Sequence, residues 1–183
     1  MRSCLVATAV LRFALVAQAV AQTTDTVPAL HRVQDLSLYT GTYPCRTGLL
    51  RSPVLLQATR EVLGDQYAAY HDHMRASGCG AIEQRGDYIL LDVSQLHVGG
   101  YSSIILVRRR DGALFLFWLS GTVPDRNGHV YGPRPVPRDA MAIFEHSMNI
   151  QWGHVACFTA SGDSLAIDLT RRANQDTGRC LSP

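Results

Sequence analysis

Three strand-like runs with only short breaks between them lie in the middle of the sequence, and they constrain the fold more than any other feature. Val, Ile, Leu, Tyr, Phe and Trp dominate these runs, which cover residues 88–94, 101–108 and 113–119. Asp111 and Gly112 predict a type I′ turn after the second run, because Asp tolerates a positive φ and Gly adopts it freely. The runs therefore predict an antiparallel meander in which Arg108 and Ala113 close a hairpin.

The distribution of apolar residues predicts how this meander is covered. In the first run, the apolar residues at positions 89, 91 and 93 share one face, whereas Leu90, Asp92 and Ser94 lie on the other. One face of that strand is therefore expected to be packed and the other partly wet. The two later runs are apolar on both faces, so they are expected to be central strands or to be covered by helices.

Other segments complete the predicted fold. Ser52 and Pro53 predict the start of a helix that continues to Leu63, a second helical stretch follows from Asp65, and Asp139 caps a third helix to about residue 151. Residues 154–159 and 164–169 predict a second hairpin, and residues 36–39 a short edge strand. Together these elements predict an α+β fold, a single domain with an antiparallel sheet of about five strands and helices packed on one face.

The first 21 residues have the pattern of a secretory signal peptide. Arg2 precedes an apolar stretch, and the small residues Ala19, Val20 and Ala21 end it. We therefore predict cleavage after Ala21, a single exported domain over residues 22–183, location in the periplasm, and no membrane insertion after cleavage.

Charge excludes a further class of partner. Residues 22–183 carry 15 arginines, no lysine and 15 acidic residues. A domain that binds nucleic acid usually has a strongly basic surface. Such a partner is therefore not expected.

Four cysteines remain after the predicted cleavage. An even number of cysteines in an exported chain favours disulfide bonds. The four cysteines are Cys45, Cys79, Cys157 and Cys180. Of the three possible pairings, we favour Cys45 with Cys79 and Cys157 with Cys180, because each bond would tie a loose segment to a nearby regular element. No Cys-x-x-Cys pair occurs, so neither zinc nor any other cofactor is expected.

Catalytic patterns are weak throughout the sequence. His71 and His73 are two residues apart, and on a helix their imidazoles would diverge too far to bind one metal ion. Ser102 and Ser103 lack a Gly-x-Ser-x-Gly elbow. We therefore predict that the protein is not an enzyme. A small exported hydrolase that uses His71, Asp72 or His154 remains an alternative, as does a non-catalytic ligand-binding domain of the cell envelope.

The connection between the first two runs is the predicted partner-binding site. Paired glycines can leave an imidazole standing out from the end of a sheet, and an ordered loop can enter an enzyme cleft at little entropic cost. The residues assigned to this contact are Gln95, Leu96, His97, Val98, Gly99, Gly100 and Tyr101. A second contact surface is predicted in the long Gly- and Pro-rich connection over residues 120–137, from His129, Tyr131 and Arg134.

This connection also resembles a known inhibitory loop. The segment Ser94-Gln95-Leu96-His97-Val98-Gly99-Gly100-Tyr101 resembles the Cys-Lys-Pro-His-Asp-Cys-Gly-Ser loop of the periplasmic inhibitor of vertebrate lysozyme (Ivy-like) family. The histidine and the glycine coincide, whereas the two cysteines and the aspartate of that loop are absent here. The resemblance covers residues 50–120 and implies inhibition by plugging the cleft of a peptidoglycan hydrolase.

These observations lead to one functional expectation. The chain is expected to be a periplasmic inhibitor or immunity protein that binds a lysozyme-type muramidase or an amidase toxin, with His97 inserted into the cleft. Gly99 and Gly100 would shape the loop, and Leu96, Val98 and Tyr101 would flank it. A homodimer is left open.

Overall fold

The computed structural model describes residues 30–75, 77–95, 102–120, 127–152, 154–158 and 164–172. The predicted signal peptide lies outside these residues. The α-helices are α1 (Pro44–Thr47), α2 (Pro53–Leu63), α3 (Tyr67–His73) and α4 (Arg138–Trp152). The strands are β1 (Ser77–Cys79), β2 (Glu83–Arg85), β3 (Tyr88–Gln95), β4 (Ser102–Arg108), β5 (Leu114–Ser120), β6 (Asn127–Tyr131), β7 (His154–Phe158) and β8 (Ser164–Arg172).

All strands belong to one antiparallel sheet with the order β1-β3-β4-β5-β6-β8-β7, and β2 also pairs with β3. The predicted α+β class and antiparallel sheet are confirmed. The described sheet has eight strands rather than about five. The additional strands are β1, β2 and β6; the first two have only three residues each, and β6 lies within a segment rich in turn residues.

The predicted hairpin between β4 and β5 is present, but its turn is longer than a type I′ turn. The N–H of Arg108 donates to the carbonyl of Ala113, and the N–H of Gly112 donates back to the carbonyl of Arg108, each at 2.8 Å. Gly112 has a φ of 76°, a conformation that glycine adopts without strain. The Arg108 guanidinium binds the Asp111 carboxylate at 2.9 and 2.7 Å, which holds the four-residue turn closed.

One face of the sheet, here called the first face, packs against the N-terminal helices. The sheet contributes buried residues from its central strands, and the helices cover them with Leu49, Leu55, Leu63 and Tyr70. Val33–Tyr39 forms a 3₁₀-helix whose Leu36 is fully buried on this face, so the predicted edge strand at residues 36–39 is wrong. The Asp35 carboxylate accepts hydrogen bonds from the N–H groups of His31 and Arg32 and stabilises the start of that helix.

The opposite face, here called the second face, packs against α4. Phe144 of this helix is fully buried, and its ring centroid lies 5.9 Å from that of Phe117 on β5. The Tyr88 hydroxyl donates to Asp139 at 2.9 Å and ties the start of the helix to β3. Helices therefore cover both faces, not one as predicted, since the side on which a helix packs cannot be inferred for strands that are apolar on both faces.

Candidate functional site

The predicted partner-binding segment leaves the end of one central strand and returns at the start of the next. β3 and β4 pair without interruption up to Ser94 and Ser102. Gln95, the last residue of β3, also pairs with Ser77 of β1, while Ser102 also pairs with β5. Both strand ends are thus held from the outer side as well. We call this edge of the sheet the loop end. The other predicted contact residues lie outside the described residues; they are Leu96, His97, Val98, Gly99, Gly100 and Tyr101.

β6 brings part of the second predicted contact set to the loop end. His129 pairs with Trp118 of β5, and its side chain is exposed. Its ring centroid lies 6.4 Å from that of Tyr131, so the two rings share the first face. Arg134 is placed differently, because its Nη2 donates to the carbonyl oxygen of Val130 at 2.6 Å. The structure therefore brings His129 and Tyr131 together, and it holds Arg134 against the backbone of β6.

Trp118 is the centre of an aromatic cluster that the sequence did not indicate. Its ring meets that of Tyr70 edge-on with centroids 5.6 Å apart, and it lies 5.3 Å from the His73 ring. Such edge-on contacts are favourable because the positive edge of one ring faces the negative face of the other. Trp118 is 5% exposed, and in the described part of the chain its indole N–H has no hydrogen-bond acceptor. The cluster connects α3 with β5, the strand that pairs with the His129 strand β6. The three rings meet only through the tertiary packing of α3 on β5, which no local pattern in the sequence encodes.

A buried pair of hydroxyl groups lies beside this cluster. The Tyr70 hydroxyl is 3.0 Å from that of Ser103 on β4. Burial raises the pKa of Tyr70 to about 12, against the opposing effect of the bond to Ser103. The phenol is therefore neutral near pH 7 and cannot serve as a general base that would activate the serine. The geometry of this pair favours a role in packing.

The residues of the hydrolase alternative lie apart from one another. The His71 ring contacts Tyr67 at 5.8 Å, whereas the His73 ring contacts Trp118, so the two imidazoles diverge. Asp72 pairs with Arg75 at 2.8 Å on the surface. His154 begins β7, which lies three strands from β5 at one edge of the sheet. Across the described ranges, no three His, Cys, Asp or Glu residues are grouped so that they could hold a metal ion.

A disulfide braces the strand next to the predicted contact segment. The predicted bond between Cys45 and Cys79 is confirmed, with the two Cα atoms 6.0 Å apart. It ties α1 to β1, the strand that pairs with the end of β3. The second predicted pair cannot be placed, since Cys180 and the side chain of Cys157 lie outside the described residues.

A cavity of about 410 Å³ opens between the first face and the helices α1, α2 and α3. Its inner surface is apolar and includes Val93 and Ile105 of the sheet and Leu55 of α2. The sequence did not predict it, because the residues that line it come from several separate elements. Their arrangement depends on tertiary packing that no local pattern encodes.

Within the described residues, no helix is both long and apolar enough to cross a membrane. No protein-family model, no curated protein and no solved structure matches the chain.

Proposed function

We propose that this protein is a periplasmic inhibitor or immunity protein that binds and blocks a peptidoglycan-degrading enzyme. Residues 95–101 would form the inserting element, with His97 at its centre. The target would be a lysozyme-type muramidase or an amidase toxin. The resemblance to the Ivy-like family supports the proposal only as an expectation about the mode of binding.

The observation that carries the proposal is the bracing of the two strand ends at Gln95 and Ser102. β1 pairs beside Gln95, and β5 pairs beside Ser102, so four adjacent strands meet at the base of this segment. The disulfide of Cys79 fixes β1 in turn. Fixed ends restrict the conformations open to any segment that joins them, which lowers the conformational entropy that binding would cost and leaves more of the contact energy for affinity.

The chemistry of a muramidase cleft explains why a histidine would suit the centre of the segment. Glycoside hydrolases of this kind cleave with a pair of carboxyl groups. A protonated imidazole has two N–H donors that can each bind a carboxylate oxygen. Insertion of His97 would therefore occupy both catalytic groups at once.

The exposed His129 fits a second contact in the same interface. It lies on β6, which is three strand spacings of about 4.8 Å from β3. An ordinary interface covers about 800 Å² on each partner, which is wide enough to include both positions. His129 would contact the rim of the target cleft, with Tyr131 beside it.

The experiment is to mix the purified, oxidised protein with a panel of muramidases and cell-wall amidases. Residual hydrolysis of peptidoglycan and elution on a sizing column are measured together. A stoichiometric complex that abolishes one activity supports the proposal and identifies the class of target. If no enzyme of the panel is bound or inhibited, the proposal fails, and turnover of peptidoglycan by the protein itself would favour the hydrolase alternative.

A further inference from the structure

The cavity on the first face has the size and shape of a small-molecule site. Its volume is about 410 Å³, within the range of about 300–1,000 Å³ that is usual for ligand pockets. α2 and α3 form its side walls, the segment that includes α1 forms a third wall, and β3 and β4 form its floor.

The inner surface of the cavity is mainly aliphatic. Leu55, Val93 and Ile105 are at most 3% exposed, and Leu56 and Met74 extend the apolar surface towards the opening. An alkyl chain placed there would be removed from water along most of its length. Methionine adapts its shape easily, which suits a flexible chain.

The rim of the cavity includes two arginines, and no carboxylate lines the cavity itself. Arg51, His71 and Arg75 line it, and none of its lining residues is Asp or Glu. Arg75 pairs with Asp72, whereas Arg51 has no ion-pair partner among the described residues. A ligand with an anionic group would thus find an uncompensated guanidinium at the edge of an apolar cavity.

One wall is fixed covalently. Cys45 lines the cavity, and its disulfide to Cys79 holds the α1 wall against the sheet. A site whose walls are already in place loses little entropy when a ligand enters.

From these features we propose that the cavity binds a small amphiphile with an aliphatic chain and an anionic head group, of which a medium-chain carboxylate is the simplest case. The chain lies against Leu55, Val93 and Ile105, and the head group lies beside Arg51. This site is distinct from the proposed contact with a hydrolase and does not depend on it.

Calorimetric titration of the purified, oxidised protein tests the proposal. The probes are dodecanoate, dodecanol and dodecyltrimethylammonium, each below its micellar concentration. Dodecanoate is expected to bind with one-to-one stoichiometry and about tenfold more tightly than the cationic analogue. Equal affinities for the anionic and cationic probes, or no saturable binding of dodecanoate, would overturn the proposal.

Two pairs of variants locate the site. Leu56→Trp fills the cavity and is expected to weaken dodecanoate binding at least about tenfold, whereas Gln57→Trp, on the exposed side of the same helix, leaves it unchanged. Arg51→Glu is expected to weaken binding, whereas Arg109→Glu, an equal charge change at the exposed β4–β5 turn, is not. Circular dichroism confirms that each variant folds. Binding that survives both Leu56→Trp and Arg51→Glu would place the ligand elsewhere and overturn the assignment.

Discussion

The hydroxyl groups of Tyr70 and Ser103 lie 3.0 Å apart in the core, where α3 packs on the centre of the sheet. Both residues are buried, so each hydroxyl relies on the other as a hydrogen-bond partner. Removing one of two bonded groups in a core leaves the other unsatisfied, which costs more than removing both.

A double-mutant cycle measures this dependence. Tyr70→Phe is expected to lower the free energy of unfolding by about 1–3 kcal/mol, because the Ser103 hydroxyl stays buried without this partner. Adding Ser103→Ala to that variant should cost much less than Ser103→Ala costs in the wild type. Urea unfolding of the four proteins gives the coupling energy. Strictly additive losses would show that the two hydroxyls do not stabilise each other.

The two buried tyrosines predict a loss of stability at alkaline pH. Burial raises the pKa of Tyr70 from 10.0 to about 12, and burial together with the Asp139 carboxylate does the same for Tyr88. Because the folded state holds these protons more tightly than the unfolded chain, their contribution is fully present below pH 10 and declines as the pH rises towards about 12. Each tyrosine changes the free energy of unfolding by up to about 1.4 kcal/mol per pH unit there.

Urea unfolding at a series of pH values between 9 and 12 checks this expectation. The Tyr70→Phe/Tyr88→Phe variant should show a smaller decline in the free energy of unfolding over that interval than the wild type shows. An identical decline in both proteins would mean that other groups cause the alkaline loss.

Phe144 is expected to account for much of the attachment of α4 to the second face. Its ring is fully buried against Phe117. Phe144→Ala should lower the free energy of unfolding by about 3–5 kcal/mol, through lost burial and the cavity that remains. His146→Ala, on the exposed side of the same helix, is the control and should change it by less than about 0.5 kcal/mol. A similar small effect for both variants would contradict the packing of α4 described above.

The disulfide between Cys45 and Cys79 is expected to stabilise the fold by restricting the unfolded chain. The two residues are 34 positions apart. Closing a loop of this length is worth about 3–4 kcal/mol in the chain-entropy model, so Cys45→Ser/Cys79→Ser should lower the free energy of unfolding by that amount. Urea unfolding measures the loss, and peptide mapping confirms the bond. A loss below about 1 kcal/mol would show that the unfolded chain gains little conformational freedom when the disulfide is removed.

His97→Ala tests the proposed inserting segment directly. If His97 occupies the centre of the interface, its truncation should weaken the complex with the target hydrolase by about 2–4 kcal/mol. His129→Ala should have a smaller effect, since a residue at the rim contributes less. His146→Ala is the matched control, because this histidine is exposed on α4, which covers the second face. Competitive inhibition assays give the three affinities, and a loss below about 0.5 kcal/mol for His97→Ala would remove it from the centre of the contact.

The sequence predicted elements where one local signal was strong enough. Pro53–Leu63 begins with a proline and ends before a glycine, and the structure has a helix over those residues. Leu36 illustrates the opposite case, because the apolar residues of a 3₁₀-helix and of a short strand cannot be separated over so few positions. β6 was missed for a related reason: its pairing with β5 depends on tertiary contacts, while its neighbours are turn residues.

The candidate site was predictable only in part. The long apolar runs on either side predicted a connection at residues 95–101, but Gln95 is the last residue of β3, and residues 96–101 lie outside the described residues. The pairing of His129 with Trp118 could not be predicted, since the segment that joins β5 to β6 has no clear periodicity of apolar residues. The cavity needs three helices and the sheet to be in place before its walls exist.

The covering of the second face by α4 has a consequence for the synthesis of the protein. The central strands β3, β4 and β5 all precede α4 in the chain, so they leave the ribosome first. Until Phe144 has followed, the apolar residues of the second face, which include Leu90, Leu106 and Phe117, are not covered by α4. A nascent chain in that state exposes the kind of surface that chaperones bind and that otherwise aggregates. We therefore expect the sheet to complete its folding only after translation has passed α4.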